Sequence, residues 1–172
     1  RFVEIYNATD ADIDLTSWQI RRYANANTTS GDIDLTGTVA SGETFVVASS
    51  ETDFTTQFGF APDQSSGTVS GNGDDTYELF DGTAVVDIYG EVGVDGTGEP
   101  WEYENSHAVR AASIGSGNAT WTGSEWTITA GDVADMTPGT HTSDFPGGGT
   151  VDPEPTNHVA DFTATADDAA NV

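Results

Sequence analysis

The chain has 172 residues and a formal net charge of -25 at pH 7, because 29 acidic side chains outnumber only 4 basic ones. All the basic residues are arginine, and cysteine is absent, which excludes disulfides and thiolate metal sites. So acidic a chain repels nucleic acid phosphates and anionic membranes, and no apolar run is long enough to span a bilayer. We therefore expect one ordinary domain with a small addition, no nucleic acid contact and no membrane insertion.

Strand-like runs and polar turns alternate through the first part of the chain. Residues 2–6 and 13–20 are rich in β-branched and aromatic side chains and flank an Asp-rich turn, a pattern typical of strands. Residues 33–35 and 45–47 predict two further strands. A serine cap followed by acidic residues predicts a single helical turn within residues 50–60.

The clearest local pattern lies between Thr68 and Tyr89, where two strand-like runs flank the dipeptide Asp81-Gly82. An Asp-Gly pair suits a two-residue turn whose residues need positive φ. The pattern therefore predicts a hairpin that pairs residues 77–80 with residues 83–88.

The chain opens with V-E-I-Y-N and then I-D-L-T-S-W. In this order the two motifs resemble the opening of the lamin tail domain, an immunoglobulin-like β-sandwich. G-N-G-D-D at residues 71–75 and the run at residues 81–98 resemble modules attached to bacterial secreted nucleases. W-T-G-S-E-W-T at residues 121–127 and T-P-G-T-H-T at residues 137–142 resemble the final strand and tail of such modules. The resemblance implies an all-β, lamin-tail-like sandwich over residues 1–143.

The chain departs from the family pattern in two places. Residues 100–110 are more aromatic and acidic at their start than the family leads us to expect. The strand that usually precedes V-E-I-Y-N is missing, so one sheet edge is either open or filled by another segment.

The composition changes near residue 144. Three consecutive glycines and three prolines predict a linker over residues 144–157. Residues 158–172 resemble the start of a fibronectin type III domain, with Val159, Phe162 and Ala164 facing a core that this stretch does not supply. They are either the beginning of a following β domain or a strand donated to a sheet edge on the same or a neighbouring molecule.

Side chains suited to catalysis are scarce. The imidazoles of His107, His141 and His158 fall in different parts of the chain, and we expect no two of them to converge. No serine lies in a G-x-S-x-G turn, and in so acidic a chain paired carboxylates arise by chance. The sequence therefore predicts no catalytic residue and no enzyme, although a parent protein could hold a catalytic domain elsewhere.

Calcium is the one cofactor that the acidic loops suggest, although we predict none that is required. Asn72, Asp74 and Asp75 lie in a glycine-rich loop, and Asp95 lies in a similar one. Oxygen ligands in loops suit a hard cation with six to eight ligands. A solvated acidic surface is the alternative, and it resembles the surfaces of proteins from halophilic microbes that need salt to screen their charge.

The aromatic side chains have two interpretations. Trp18 lies in an apolar alternation and is expected in the core. Four others fall in turn-rich segments: Trp101, Tyr103, Trp121 and Trp126. They either pack across one end of the sandwich or form a partly exposed platform for a sugar or a protein partner.

Three arginines, Arg21, Arg22 and Arg110, are expected to pair with carboxylates across strands and so to fix the strand register. Acceptor sequences for N-glycosylation begin at three asparagines, Asn7, Asn27 and Asn118.

The combined prediction is a non-catalytic structural or interaction module of a large extracellular or cell-surface protein. Its task would be spacing, docking or assembly, with neighbouring domains or copies of the same protein as partners. The alternatives are an accessory module of a secreted nuclease or phosphoesterase, a repeating subunit of an extracellular filament joined by β-strand complementation, and a sugar-binding module. A fold by itself does not decide among them.

Overall fold

The computed structural model describes residues 1–131, 133–145 and 160–166. In chain order the strands are β1 (Phe2–Asn7), β2 (Ile13–Asp14), β3 (Gln19–Tyr23), β4 (Gly31–Asp34), β5 (Thr38–Val39), β6 (Thr44–Ala48), β7 (Gln64–Ser65), β8 (Thr76–Phe80), β9 (Val85–Tyr89), β10 (Ser106–Arg110), β11 (Trp126–Ala130) and β12 (Ala160–Ala166). Helix α1 (Glu51–Phe58) lies between β6 and β7, and short 3-10 turns lie at Gly123–Glu125 and Val133–Asp135. The predicted all-β class is confirmed.

The strands form two main layers. One sheet has the order β11-β10-β12-β1-β6-β7 and the other has the order β4-β3-β8-β9, while β2 and β5 form a separate pair. Neighbouring strands in both sheets run antiparallel, apart from the parallel contact of β6 with β7. The arrangement is a sandwich, as the sequence predicted.

A continuous apolar core fills the space between the two sheets. It includes Val3 and Ile5 of β1 and Ile20 and Leu79 of the facing sheet, all almost completely buried. Alternate residues of a strand point to opposite faces, so each strand contributes every second residue to this core. Trp18 packs against the same cluster, as predicted.

The outer face of the six-stranded sheet is covered as well. Phe2, Val46 and Ala48 of this sheet form a second buried cluster with Phe54 of α1 and Met136. Helix α1 and the segment after β11 therefore lie across the outer face. This double cover explains why every residue of β1 is buried, including the carboxylate residue Glu4.

Helix α1 is longer than the single turn that the sequence predicted. The Ser50 side chain caps its start by accepting a hydrogen bond from the Asp53 amide at 3.3 Å. Gly59 ends it with a left-handed φ of 82° and donates its amide to the Thr55 carbonyl. Phe54 is buried beneath the helix, and this packing stabilises the second turn.

The predicted hairpin is confirmed as β8 and β9, but its loop contains four residues, 81–84, in place of the predicted two. The Asp81 carboxylate accepts hydrogen bonds from the amides of Thr83 and Ala84 at 2.7 and 2.8 Å. Gly82 has a φ of 98°, as a turn glycine should. The Asp81 side chain therefore stabilises the turn through hydrogen bonds, and the turn is wider than predicted.

The described part of the sandwich extends to Phe145, because the Asp144 amide donates to the Ala112 carbonyl at 2.8 Å. The rest of the predicted linker, residues 146–157, lies outside the described residues, as do His158 and Val159. No helix in the described ranges is both long and apolar enough to cross a bilayer.

Candidate strand-binding site between β1 and β10

Strand β12 occupies the middle of the six-stranded sheet. It pairs antiparallel with β1 over six positions, from Phe2 opposite Thr165 to Asn7 opposite Ala160. On its other side it pairs with β10, where His107 lies opposite Thr165. Without β12, both β1 and β10 would present unpaired backbone groups along facing edges. We call the space between these two strands the strand slot.

The register assigns each position of β12 to a face of the sheet. Val3 and Ile5 belong to the core between the sheets, and they lie opposite Ala164 and Phe162. Directly opposed residues on antiparallel neighbours share a face, so these two positions are on the core side. The sheet edge predicted to be open or filled by another segment is filled by residues 160–166.

A cavity of about 50 Å³ lies on the outer face beside the strand slot. Its lining includes Glu4 of β1, His107 of β10, and Asp135 and His141 from the segment after β11. The expectation that no two histidines converge is therefore wrong. The segment after β11 folds back over the sheet, and the His141 ring contacts the Tyr6 ring at a centroid distance of 4.7 Å.

The chemistry of this cavity does not indicate catalysis. Its volume accommodates a few water molecules, which is too little for an ordinary substrate. Glu4 accepts a hydrogen bond from the Gly139 amide at 2.5 Å, so its carboxylate holds the covering segment in place. The described residues that line it include neither serine nor cysteine, the usual nucleophiles.

The predicted calcium residues lie close together, but hydrogen bonds within the protein occupy most of their oxygens. Asp75 is buried and accepts from Arg22 Nε and Nη2, each at 2.9 Å, and from the Asn25 amide at 2.9 Å. Asp74 Oδ2 accepts from the side-chain amides of Asn25 and Asn72 at 3.2 and 3.3 Å. Asp95 is exposed and accepts from the Thr97 amide at 3.0 Å. Hydrogen bonds and an ion pair within the protein therefore hold these loops in place.

Burial raises the pKa of Asp74, and the nearby charge of Asp75 raises it further. Asp74 Oδ1 is buried and has no hydrogen-bond partner within the described residues. Hydrogen bonds from Thr97 lower the pKa of Asp95. Across the described ranges, no three His, Asp or Glu side chains are arranged to hold a metal ion. Calcium binding stays a prediction.

Two of the three arginines bind carboxylates as predicted, whereas the Arg21 guanidinium donates to the Gln19 side chain at 3.1 and 3.2 Å. Arg22 of β3 binds Asp75, which directly precedes β8. Arg110 of β10 binds Asp87 of β9 in the opposite sheet, so this ion pair joins the two layers. Arg21 lies over the Phe80 ring, with its guanidinium carbon 3.5 Å from the ring centroid.

The aromatic residues considered for sugar binding form one end of the core. Trp101 and Tyr103 are only 2% and 1% exposed, and Trp126 is also buried. The Tyr89 ring contacts Tyr103, Trp121 and Trp126 at centroid distances of 5.3, 4.9 and 5.0 Å. The exposed-platform interpretation is therefore wrong for Trp101, whose ring is enclosed by its neighbours.

The three glycosylation candidates differ in accessibility. Asn7 is fully buried, and its Nδ2 donates to the carbonyls of Ala11 and Val39 at 2.8 and 3.1 Å. Asn118 Nδ2 donates to Thr122 and Glu125. Asn27 lies in an exposed turn. Its accessibility makes it the one of the three that fits a glycan in the folded protein.

The sequence identified the β1 edge but missed β10 as the second side of the slot. Ser106, Ala108 and Arg110 alternate on the core side of β10, and all three are buried. A serine and an arginine at core positions interrupt the apolar alternation that indicates a buried strand. These three residues alternate with His107 and Val109, and this period of two was the pattern from which β10 could have been predicted.

Comparison with known families gives one result. A family model described as Lamin Tail Domain matches residues 1–93, which is more than half of the chain. The match begins at β1 and ends after β9, so it includes one side of the strand slot. Searches of curated proteins and of solved structures gave no match. Two packed antiparallel sheets agree with the immunoglobulin-like fold of that family. The chain therefore belongs to the lamin tail domain family.

Proposed function

We propose that this chain is a non-catalytic docking module whose binding site is the strand slot between β1 and β10. The observation that supports this proposal is the position of β12. This strand follows residue 145 after an interval of 14 residues, 146–159, and yet pairs on both sides within the sheet. A sheet that is completed by a separate segment is suited to β-strand addition.

The physical basis of such docking is the backbone of the slot. Unpaired strand edges bind an incoming strand through main-chain hydrogen bonds, each of which contributes about 0.5–1.5 kcal/mol net. Selectivity comes from alternate positions, and here the core-side positions lie opposite Val3 and Ile5. The slot should therefore prefer a short strand with an apolar residue at every second position.

The acidic surface and the accessible sequence at Asn27 support a place outside the cell or on its surface, within a larger protein. Neighbouring domains or copies of the same protein are the proposed partners. Calcium, if it binds, would act at the Asp74 loop and would not take part in docking. The nuclease-accessory alternative rests on resemblance alone.

Disulfide trapping tests the slot directly, because the natural chain contains no cysteine. His107→Cys and Thr165→Cys are opposed in the register and should form a disulfide in the full chain. The matched control combines His107→Cys with Thr163→Cys, which is displaced by about 7 Å along the strand. Equal disulfide yields from the two pairs would disprove the proposed pairing.

A further inference from the structure

We propose that residues 160–166 are exchanged between copies of this chain, so that the strand of one copy completes the sheet of another. The partner of the strand slot is then a second copy of the same protein. This inference rests on the proposed function, because exchange requires the slot to bind a strand.

The length of the connecting segment is the first argument. The Tyr6 hydroxyl donates to the Phe145 carbonyl at 3.3 Å, and Ala160 is paired with Asn7, the next residue along β1. The chain therefore leaves the sandwich beside the place where β12 begins. Two to six residues are the usual connection between neighbouring elements, but 14 residues, 146–159, separate these points.

The reach of that segment is sufficient for a second molecule. When fully extended, 14 residues span about 50 Å. A domain of this size has a radius of gyration of about 15 Å, so its diameter is about 40 Å. The connection is therefore longer than placement in its own slot requires and long enough to reach a slot on an adjacent copy.

The central position of β12 is the second argument. Because residues 160–166 follow the rest of the sandwich in the chain, β1 and β10 are synthesised before the strand that joins them. Until it arrives, the slot presents two unpaired edges, which bind any suitable strand nearby. The exchanged and unexchanged forms contain the same strand pairings. The equilibrium between them therefore depends on the length of the connecting segment and on protein concentration.

Charge determines the conditions under which exchange occurs. The chain carries a net charge of -25, so two copies repel each other at low ionic strength. Residues 160–166 contain a single acidic residue, Asp161, and no basic one. The strand itself thus adds little repulsion, and salt screens the repulsion between the two acidic surfaces. Exchange should rise with both salt and protein concentration.

The experiment uses two full-length chains with one cysteine each, His107→Cys and Thr165→Cys. They are unfolded together, refolded together at high protein concentration in high salt, and oxidised. A disulfide between the two chains forms at this pair only if β12 of one copy lies against β10 of the other. We expect at least about tenfold more mixed dimer than from His107→Cys with Thr163→Cys, because the control pair lies beyond disulfide distance.

Shortening the connection provides a second, independent readout. Deleting residues 148–155 leaves six connecting residues, which span about 20 Å when extended. This length still permits placement in the chain's own slot but is shorter than the diameter of about 40 Å that separates it from the slot of an adjacent copy. We expect the deletion to abolish the disulfide between chains and to retain the disulfide within a chain that carries both cysteines.

The outcomes separate the two proposals. If the double-cysteine chain closes on itself but the mixed chains never cross-link above the control, exchange is refuted and the docking function stands. If neither disulfide forms above its control, both proposals fail. A mixed dimer that persists after the connection is shortened also counts against exchange through this segment.

Discussion

The ion pair between the two sheets provides the sharpest test of how the sandwich is held together. The Arg110 guanidinium is fully buried and binds Asp87 of the opposite sheet. Its Nη1 also donates to Glu125 Oε2 at 2.7 Å, and the guanidinium carbon lies 4.5 Å from the centroid of the Trp126 ring. Asp87 accepts a further hydrogen bond from the Asn118 amide at 2.9 Å. One buried cation therefore balances two carboxylates from separate elements.

Arg110→Met keeps most of the apolar stem and leaves the Asp87 carboxylate buried without its cation. Removal of one partner from a buried ion pair costs about 3–5 kcal/mol. Domains of this kind have a total stability of about 5–15 kcal/mol, so the variant should lose at least about a fifth of its free energy of unfolding. Asp87→Asn retains an acceptor for the Asn118 amide and leaves Arg110 bound to Glu125. We expect it to cost about 2 kcal/mol.

Urea unfolding followed by tryptophan fluorescence measures these changes, because Trp126 lies beside Arg110. The double variant should be more stable than the sum of the two single losses predicts, by about 2 kcal/mol. A buried pair is poorly screened, so the loss in Arg110→Met should persist at high salt.

Arg21→Met is the matched control for Arg110→Met. Arg21 is only partly buried and contacts the Phe80 ring, so its replacement should cost about 1 kcal/mol or less. If Arg110→Met is no more destabilising than this control, or if salt removes the difference, Arg110 does not hold the sheets together as argued.

Burial raises the pKa of Tyr77 to about 12, whereas an unfolded tyrosine ionises near 10, so the folded protein holds this proton more tightly. Stability should therefore be intact below about pH 10 and fall by about 3 kcal/mol towards pH 12, and a urea midpoint that stays constant over this range would contradict the prediction. The raised pKa of Asp74 means that its ionised form opposes folding, so Asp74→Asn should raise the free energy of unfolding at pH 7 in low salt and chelator. If calcium binds there, the same variant should instead lose a calcium-dependent rise in Tm, which scanning calorimetry with and without calcium resolves. In a host that glycosylates secreted proteins, mass mapping should find glycan at Asn27, and Asn27→Gln should remove it. A glycan on Asn7 would show that this side chain is not buried in the mature protein.

Several features of the fold could be predicted because neighbouring residues decide them. Alternating apolar residues in β1, the hairpin of β8 and β9, and the serine cap of α1 all follow from contacts a few residues apart. The family motifs lie in these same segments, so resemblance and local pattern pointed to one fold. The length of α1 was underestimated because its second turn depends on packing of Phe54 against Phe2, a contact between distant residues.

The candidate site depends on contacts that no local pattern contains. The sequence identified residues 158–172 as strand-like and without a core of their own, but only the tertiary structure placed a strand from this stretch between β1 and β10. In the same way, Arg110 was expected to bind a carboxylate across strands, and the packing of two sheets selected Asp87 in the opposite layer. His107 and His141 line the same cavity because the segment after β11 returns over the outer face. Residue types and their spacing thus determined which segments form strands and which charged side chains need an ion-pair partner. The choice of partner was decided when apolar faces were buried together, because burial brings distant segments into contact irrespective of their separation along the chain.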